Sequence, residues 1–125
     1  MKIKINYEPP NWNNYINIER RNFYQANKLK QKEKEIVKES CIGKKYEGNY
    51  PIEITFRKHF KDFRQDLDNV RIKGLLDGLV SCGVLKNDNL KHIQKITLEP
   101  IFDKETGVEI EINEVQNDRT EKIRN

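Results

Sequence analysis

The chain has 125 residues, 35% apolar and 35% charged, with a formal net charge of +4. That length supplies one modest core and excludes a two-domain enzyme. No apolar run reaches the roughly 18 residues that a bilayer-spanning helix needs, so the sequence reads as a soluble, cytoplasmic protein without a membrane partner.

In chain order, Ile3, Ile5 and Tyr7 alternate with Lys2, Lys4 and Asn6, the pattern of a half-buried strand that Pro9 and Pro10 end. A long lysine-studded helix is expected next, with Asn17 as N-cap, Phe23, Ala26, Leu29, Glu33, Ile36, Val37 and Cys41 at helical spacing, and Gly43 at its end. Ile52, Ile54, Phe56 and Phe60 mark a second strand, with Glu53, Thr55 and Arg57 on its polar side. A helix over 70–81 places Ile72, Leu75, Leu76 and Leu79 on one side and closes at Gly83. "HIQKITLEPIF" and "GVEIEINEV" read as two more strands joined by "DKETG", a hairpin signal. The expected architecture is α+β, a small mixed β-sheet packed with two helices in the order β-α-β-α-β-β. The domain covers 1–115, followed by a polar tail at 116–125 that is expected to fray. Cys41 and Cys82 lie outside any CxxC or Cys/His spacing and read as reduced structural thiols rather than zinc ligands.

Charge is unevenly distributed. Six Lys or Arg face three Asp between Arg57 and Lys73, whereas eight acids face two basic residues between Glu99 and Glu121. A basic body with an acidic edge suits a phosphate-bearing partner, and a plain solvated surface accounts for the counts equally well.

The chemistry concentrates around "RQDLDN". If residues 66–68 are extended, the i and i+2 carboxylates of Asp66 and Asp68 point the same way and repel unless a cation holds both ionised. Mg²⁺ or Mn²⁺ suits such oxygen donors and accepts phosphate oxygens in its remaining positions. Helix capping is the competing explanation for Asp68 and a turn that for Asp88, although a β-α-β passage can fold the Asp88 loop back beside the pair. Lys73, one turn into the helix, is either an exposed lysine paired with Asp77 or a support for transition-state charge. Arg57, Lys58, Lys61, Arg64 and Arg71 are the candidate phosphate contacts. His59 and His92 read as surface residues, His59 as a further phosphate contact. Trp12, Tyr15, Phe23 and Tyr24 read as core or dimer-contact aromatics ahead of base-stacking ones, and Gly74, Gly78 and Gly83 form no phosphate loop.

"DLDN", a lysine a turn later, "LLDGL" and then "GVLKND" together resemble the RusA family of phage and bacterial Holliday-junction resolvases. The likeness covers most of 1–115, including "NNYINIERRNFYQANKLKQ" and "GVEIEI". It implies a homodimeric, Mg²⁺- or Mn²⁺-dependent endonuclease for branched DNA, of phage or prophage origin. By the same resemblance Asp66, Asp68 and Asp88 match the metal-binding catalytic aspartates and Lys73 the catalytic lysine. Two positions depart from the pattern. Asn87 stands where the family has the first acid of an Asp-Asp. Lys73 lies one residue farther from "DN" than in the shortest pattern, a rotation of roughly 100° on a helix. The alternatives are a non-catalytic nucleic-acid-binding domain and a phage regulatory interaction module.

Overall fold

The computed structural model describes residues 1–115, and the tail expected at 116–125 lies outside the described residues. The elements are β1 (Lys2–Ile5), α1 (Trp12–Arg21), α2 (Phe23–Ser40), β2 (Ile52–Phe60), a short 3-10 turn (Leu67–Asn69), α3 (Lys73–Ser81), β3 (Ile93–Phe102) and β4 (Val108–Glu114). The class is α+β with a mixed four-stranded sheet, as expected, but three α-helices accompany it rather than two.

The helix expected around Asn17 divides at Asn22. Asn22 is extended (φ −157°, ψ 97°) and its side chain accepts the Gln25 amide, starting α2. Asn11 caps α1 in the same way through Asn14, so Asn17 lies inside a helix rather than at its start. Phe23, counted in the apolar stripe, is exposed. The helix expected over 70–81 begins only at Lys73, and Gly83, at φ +86°, follows its end in the left-handed conformation that favours glycine.

The strand order is β1-β4-β2-β3. β2 lies between β4, antiparallel to it, and β3, parallel to it, so the expected hairpin does not form: β3 and β4 are not neighbours. β2, α3 and β3 make a β-α-β unit. Alternation gives the sheet two different faces. On the covered face Ile3, Ile110, Phe56 and Leu98 form one row across all four strands, with Ile112, Ile54 and Ile96 in the next. Most of these side chains are buried beneath α2 and α3, each contributing about 1.5–3 kcal/mol. The open face carries Lys4, Glu109, Arg57 and Glu99 in a row of alternating sign.

Gly74 and Gly78 explain how closely α3 approaches α2. A Cβ at Gly74 would stand 2.5 Å from Glu33 Oε1, and one at Gly78 would stand 2.7 Å from Val37 Cβ. Their spacing serves helix contact. Both cysteines are free, and burial pushes the Cys41 thiol up to about 11, consistent with an inert structural role.

Candidate functional site

β2 delivers the chain into residues 61–72, which carry the acidic pair. Asp66 is extended (φ −93°, ψ 136°), and its carbonyl accepts the Asn69 amide at 3.1 Å to close the 3-10 turn. Asp68 lies inside that turn, so the strand-alternation argument for a shared face does not apply to the pair. Both residues are exposed. The capping role is not realised either: the turn has no side-chain cap, and α3 starts from Ile72 without one. Among the described residues neither carboxylate has a hydrogen-bond or ion-pair partner. The loop itself is anchored, because Asn69 Oδ1 accepts the Asn13 amide of α1 at 3.3 Å.

Asp88 is held differently. Asn87 Oδ1 accepts the amides of Asp88 (2.7 Å) and Asn89 (3.1 Å), leaving the Asp88 side chain exposed. The Lys86 amide donates to Tyr50 Oη at 3.1 Å, which fixes this loop beside the start of β2. Parallel pairing then decides where the acids lie. Ile52 pairs with Ile93 and Phe60 with Phe102, so Asp66 and Asp68 follow the C-terminal ends of the strands while Asp88 precedes their N-terminal ends. A nine-residue strand is roughly 30 Å long. Within one chain the β-α-β passage carries the Asp88 loop to the far end of the sheet instead of folding it back.

Among the described residues, the group of three with ligand atoms mutually within 4.8 Å is His59, Asp103 and Glu105, with no member of the aspartate triad. The surface reading of His59 is overturned: it is buried, with Nδ1 at 2.8 Å from Asp103 and Nε2 at 3.0 Å from Glu109. His59 holds the Asp103 carboxyl below its usual range, and the Lys4 ammonium occupies Glu105 at 2.9 Å. Hydrogen bonds from Asn113 and then Arg57 lower Glu111 in the same way. His92 is exposed only in part and faces Asn89 Oδ1 at 2.6 Å.

The basic residues separate into two groups. Arg57 reaches Glu99 and Glu111, both at 2.8 Å, on the open face. Lys58 is buried against Glu8 at 2.7 Å. Arg71 is buried, and its Nη1 donates to both Glu33 oxygens at 2.7 and 2.9 Å. These three are committed to internal partners. Lys61 and Arg64 are exposed, the latter, among the described residues, with only Asp62 at 3.6 Å. Lys73 is exposed and pairs with Asp77 at 3.5 Å, the helix pair expected from their spacing. The Arg71–Glu33 pair went unread, yet it left a signal: an acid inside the apolar stripe of α2 implies a buried partner.

The α+β frame thus presents, on one loop, two carboxylates without partners among the described residues beside the exposed Lys61 and Arg64, a candidate site for phosphodiester chemistry. The family model of the endodeoxyribonuclease RusA matches residues 3–113, and the chain belongs to that family of Holliday junction resolvases, nucleases of DNA recombination. No curated protein matches the chain. Among the described residues no helix is long and apolar enough to cross a membrane.

Proposed function

We propose that this chain, as a two-fold dimer, hydrolyses phosphodiester bonds in branched DNA with Mg²⁺ or Mn²⁺ held by Asp66 and Asp68 of one copy and Asp88 of the other. What carries the reading is the pair of unpartnered carboxylates of Asp66 and Asp68 within a family-matched chain. Hard oxygen donors fit such an ion, and two carboxylates leave its coordination open to further ligands. Parallel pairing of β2 and β3 makes Asp88 precede the strands' N-terminal ends while Asp66 and Asp68 follow their C-terminal ends, which supports an Asp88 supplied to the pair by a second copy. The β3 edge, with Ile96 and Phe102 exposed and no strand beyond it among the described residues, is a surface that such a copy can cover. A symmetric dimer also presents two equivalent sites to a junction in which two strands must be cut.

When bound, the ion would polarise the scissile phosphate and lower the pKa of an attacking water. Lys73 offers an ammonium for charge developing on the phosphate, since an exposed pair with Asp77 is weak and exchangeable. Lys61 and Arg64 neutralise neighbouring phosphates and thereby position the strand without reading bases.

Mixed dimers test the arrangement. Asp68→Asn and Asp88→Asn homodimers are both expected to be inactive. After exchange of subunits, the heterodimer contains one doubly altered site and one intact site, so nicking of a synthetic four-way junction reappears. If each site were built from a single chain, both sites would stay broken and mixing would restore nothing. A second prediction concerns Lys61 and Arg64. Replacing both with alanine should weaken binding similarly for several junction sequences and reduce the slope of log K against log[salt] by about two. An unchanged slope in titrations at several salt concentrations would remove this loop from the DNA-binding surface.

A further inference from the structure

β3 is the long edge of the sheet, and among the described residues no strand lies beyond it. One hydrogen bond sets the direction of its backbone groups. The Asp103 amide, just past the strand, donates to the Phe60 carbonyl of β2 at 3.1 Å. Pairing with β2 runs without a register shift from Lys95 to Phe102, so odd-numbered residues turn their backbone groups toward β2. Even-numbered residues turn theirs outward, which leaves the N–H and C=O groups of Ile96 and Leu98 at the edge. Pro100, which has no amide, stands at one of these outward positions and removes nothing from the β2 ladder. Such an edge is a template for a further strand.

A second copy of this chain fits that edge in one register better than in its neighbours. Two antiparallel β3 strands related by a two-fold at Thr97 set Ile96 opposite Leu98, outward group against outward group. Each such pair exchanges both N–H···O bonds. On the open face the same register sets Lys95 opposite Glu99, twice over. Among the described residues exposed Lys95 makes no ion pair, and Glu99 meets Arg57 through Oε2 alone. A two-fold at Leu98 instead sets Pro100 against Ile96 and loses both a bond and the charge match. A two-fold at Glu99 sets that carboxylate against itself.

Antiparallel pairing also brings opposite strand ends together. The start of one β3, which the Asp88 loop precedes, comes beside the end of the other. At that end Phe63, from the 61–72 loop, lies against Phe102 with ring centres 4.6 Å apart, and the 3-10 turn carrying Asp68 packs on β3. Exposed Leu90 of the second copy approaches exposed Phe63 and Phe102, so apolar surface on both copies is covered together.

We propose that two copies of this chain join by antiparallel pairing of their β3 edges about a two-fold at Thr97, merging the two four-stranded sheets. The interface stands on the edge itself. Its bearing on the site rests on the nuclease reading above: this pairing carries Asp88 of one copy to the Asp66 and Asp68 end of the other.

Cysteine cross-linking reads the register directly. Facing residues of a non-hydrogen-bonded antiparallel pair have Cα atoms about 4.5 Å apart, within disulfide reach. Thr97→Cys should therefore convert most of the protein to a disulfide-linked dimer on mild oxidation, while wild type stays unlinked. Lys95→Cys and Glu99→Cys change exposed side chains and should fold. Each should link poorly alone, because identical positions lie roughly 13 Å apart in this register, and the two should link to each other when mixed. If a folded Thr97→Cys stays unlinked, or the mixed sample gives no Lys95→Cys to Glu99→Cys product, the proposal is overturned. Nicking of a four-way junction with Mg²⁺, measured on the same samples, separates the two readings. Protein that nicks without linking refutes the β3 interface and leaves the nuclease reading standing. Protein that links without nicking supports the interface and refutes the nuclease reading.

Discussion

Asp68→Asn is expected to abolish nicking of a four-way junction while leaving junction binding intact or tighter. Asp68 is exposed and caps no helix, so the substitution removes no internal contact and should barely alter stability. It removes one negative charge from a loop that must approach phosphate, which reduces repulsion toward DNA. On the proposed chemistry it also removes a metal ligand and with it several kcal/mol of transition-state stabilisation, on the order of 10³-fold or more in rate. Single-turnover nicking and binding titrations on the same junction measure the two effects separately. Cleavage at near wild-type rate would show that Asp68 holds no catalytic ion. Parallel loss of binding and cleavage would assign it to DNA contact instead.

The largest expected effect on stability lies at the buried ion pair. Arg71→Leu leaves the Glu33 carboxylate, fully buried, with only the Tyr7 hydroxyl among the described residues donating to it at 3.2 Å. Stranding a buried charge costs about 3–5 kcal/mol. For a chain of this size that corresponds to a melting-temperature drop of roughly 10 °C or more. Relaxation is restricted because Gly74 packs directly against Glu33, which leaves no room for a shift toward α3. Glu33→Leu/Arg71→Leu should recover most of the loss, since replacing both partners by apolar groups leaves no charge unmatched. Thermal melts of the two variants decide the matter. A single variant within ~1 kcal/mol of wild type would mean that the pair does not organise the packing of α2 on α3.

Much of the fold was legible because it depends on local periodicity. The alternation of Ile52, Ile54 and Phe56, or of Ile3 and Ile5, is a two-residue repeat that only a sheet with one covered face can satisfy. The glycine at 83 stood where a helix has to stop. Asn22 was harder, because apolar spacing runs through Phe23 without interruption and the break depends on an asparagine side chain turning back to the Gln25 amide. The hairpin expectation failed for a different reason: whether two successive strands pair or admit a third between them depends on which contacts bury more surface, and "DKETG" carries no information about β2.

The chain's site was divided in the same way. The motif "DLDN" and the residues after it identified the family and named the aspartates, because residue types at fixed spacing are visible in one dimension. Sequence alone also set the charge of Arg57, Lys58 and Arg71, but only the tertiary structure decided that each would meet a carboxylate from another element. His59 was likewise committed to Asp103 and Glu109 by strand neighbours 44 and 50 positions away. Register and parallel pairing alone placed Asp88 at the end of the sheet opposite Asp66 and Asp68. Spacing along a chain determines which groups are available, but distances across a sheet depend on strand direction, and direction is a property of pairing that no single segment contains.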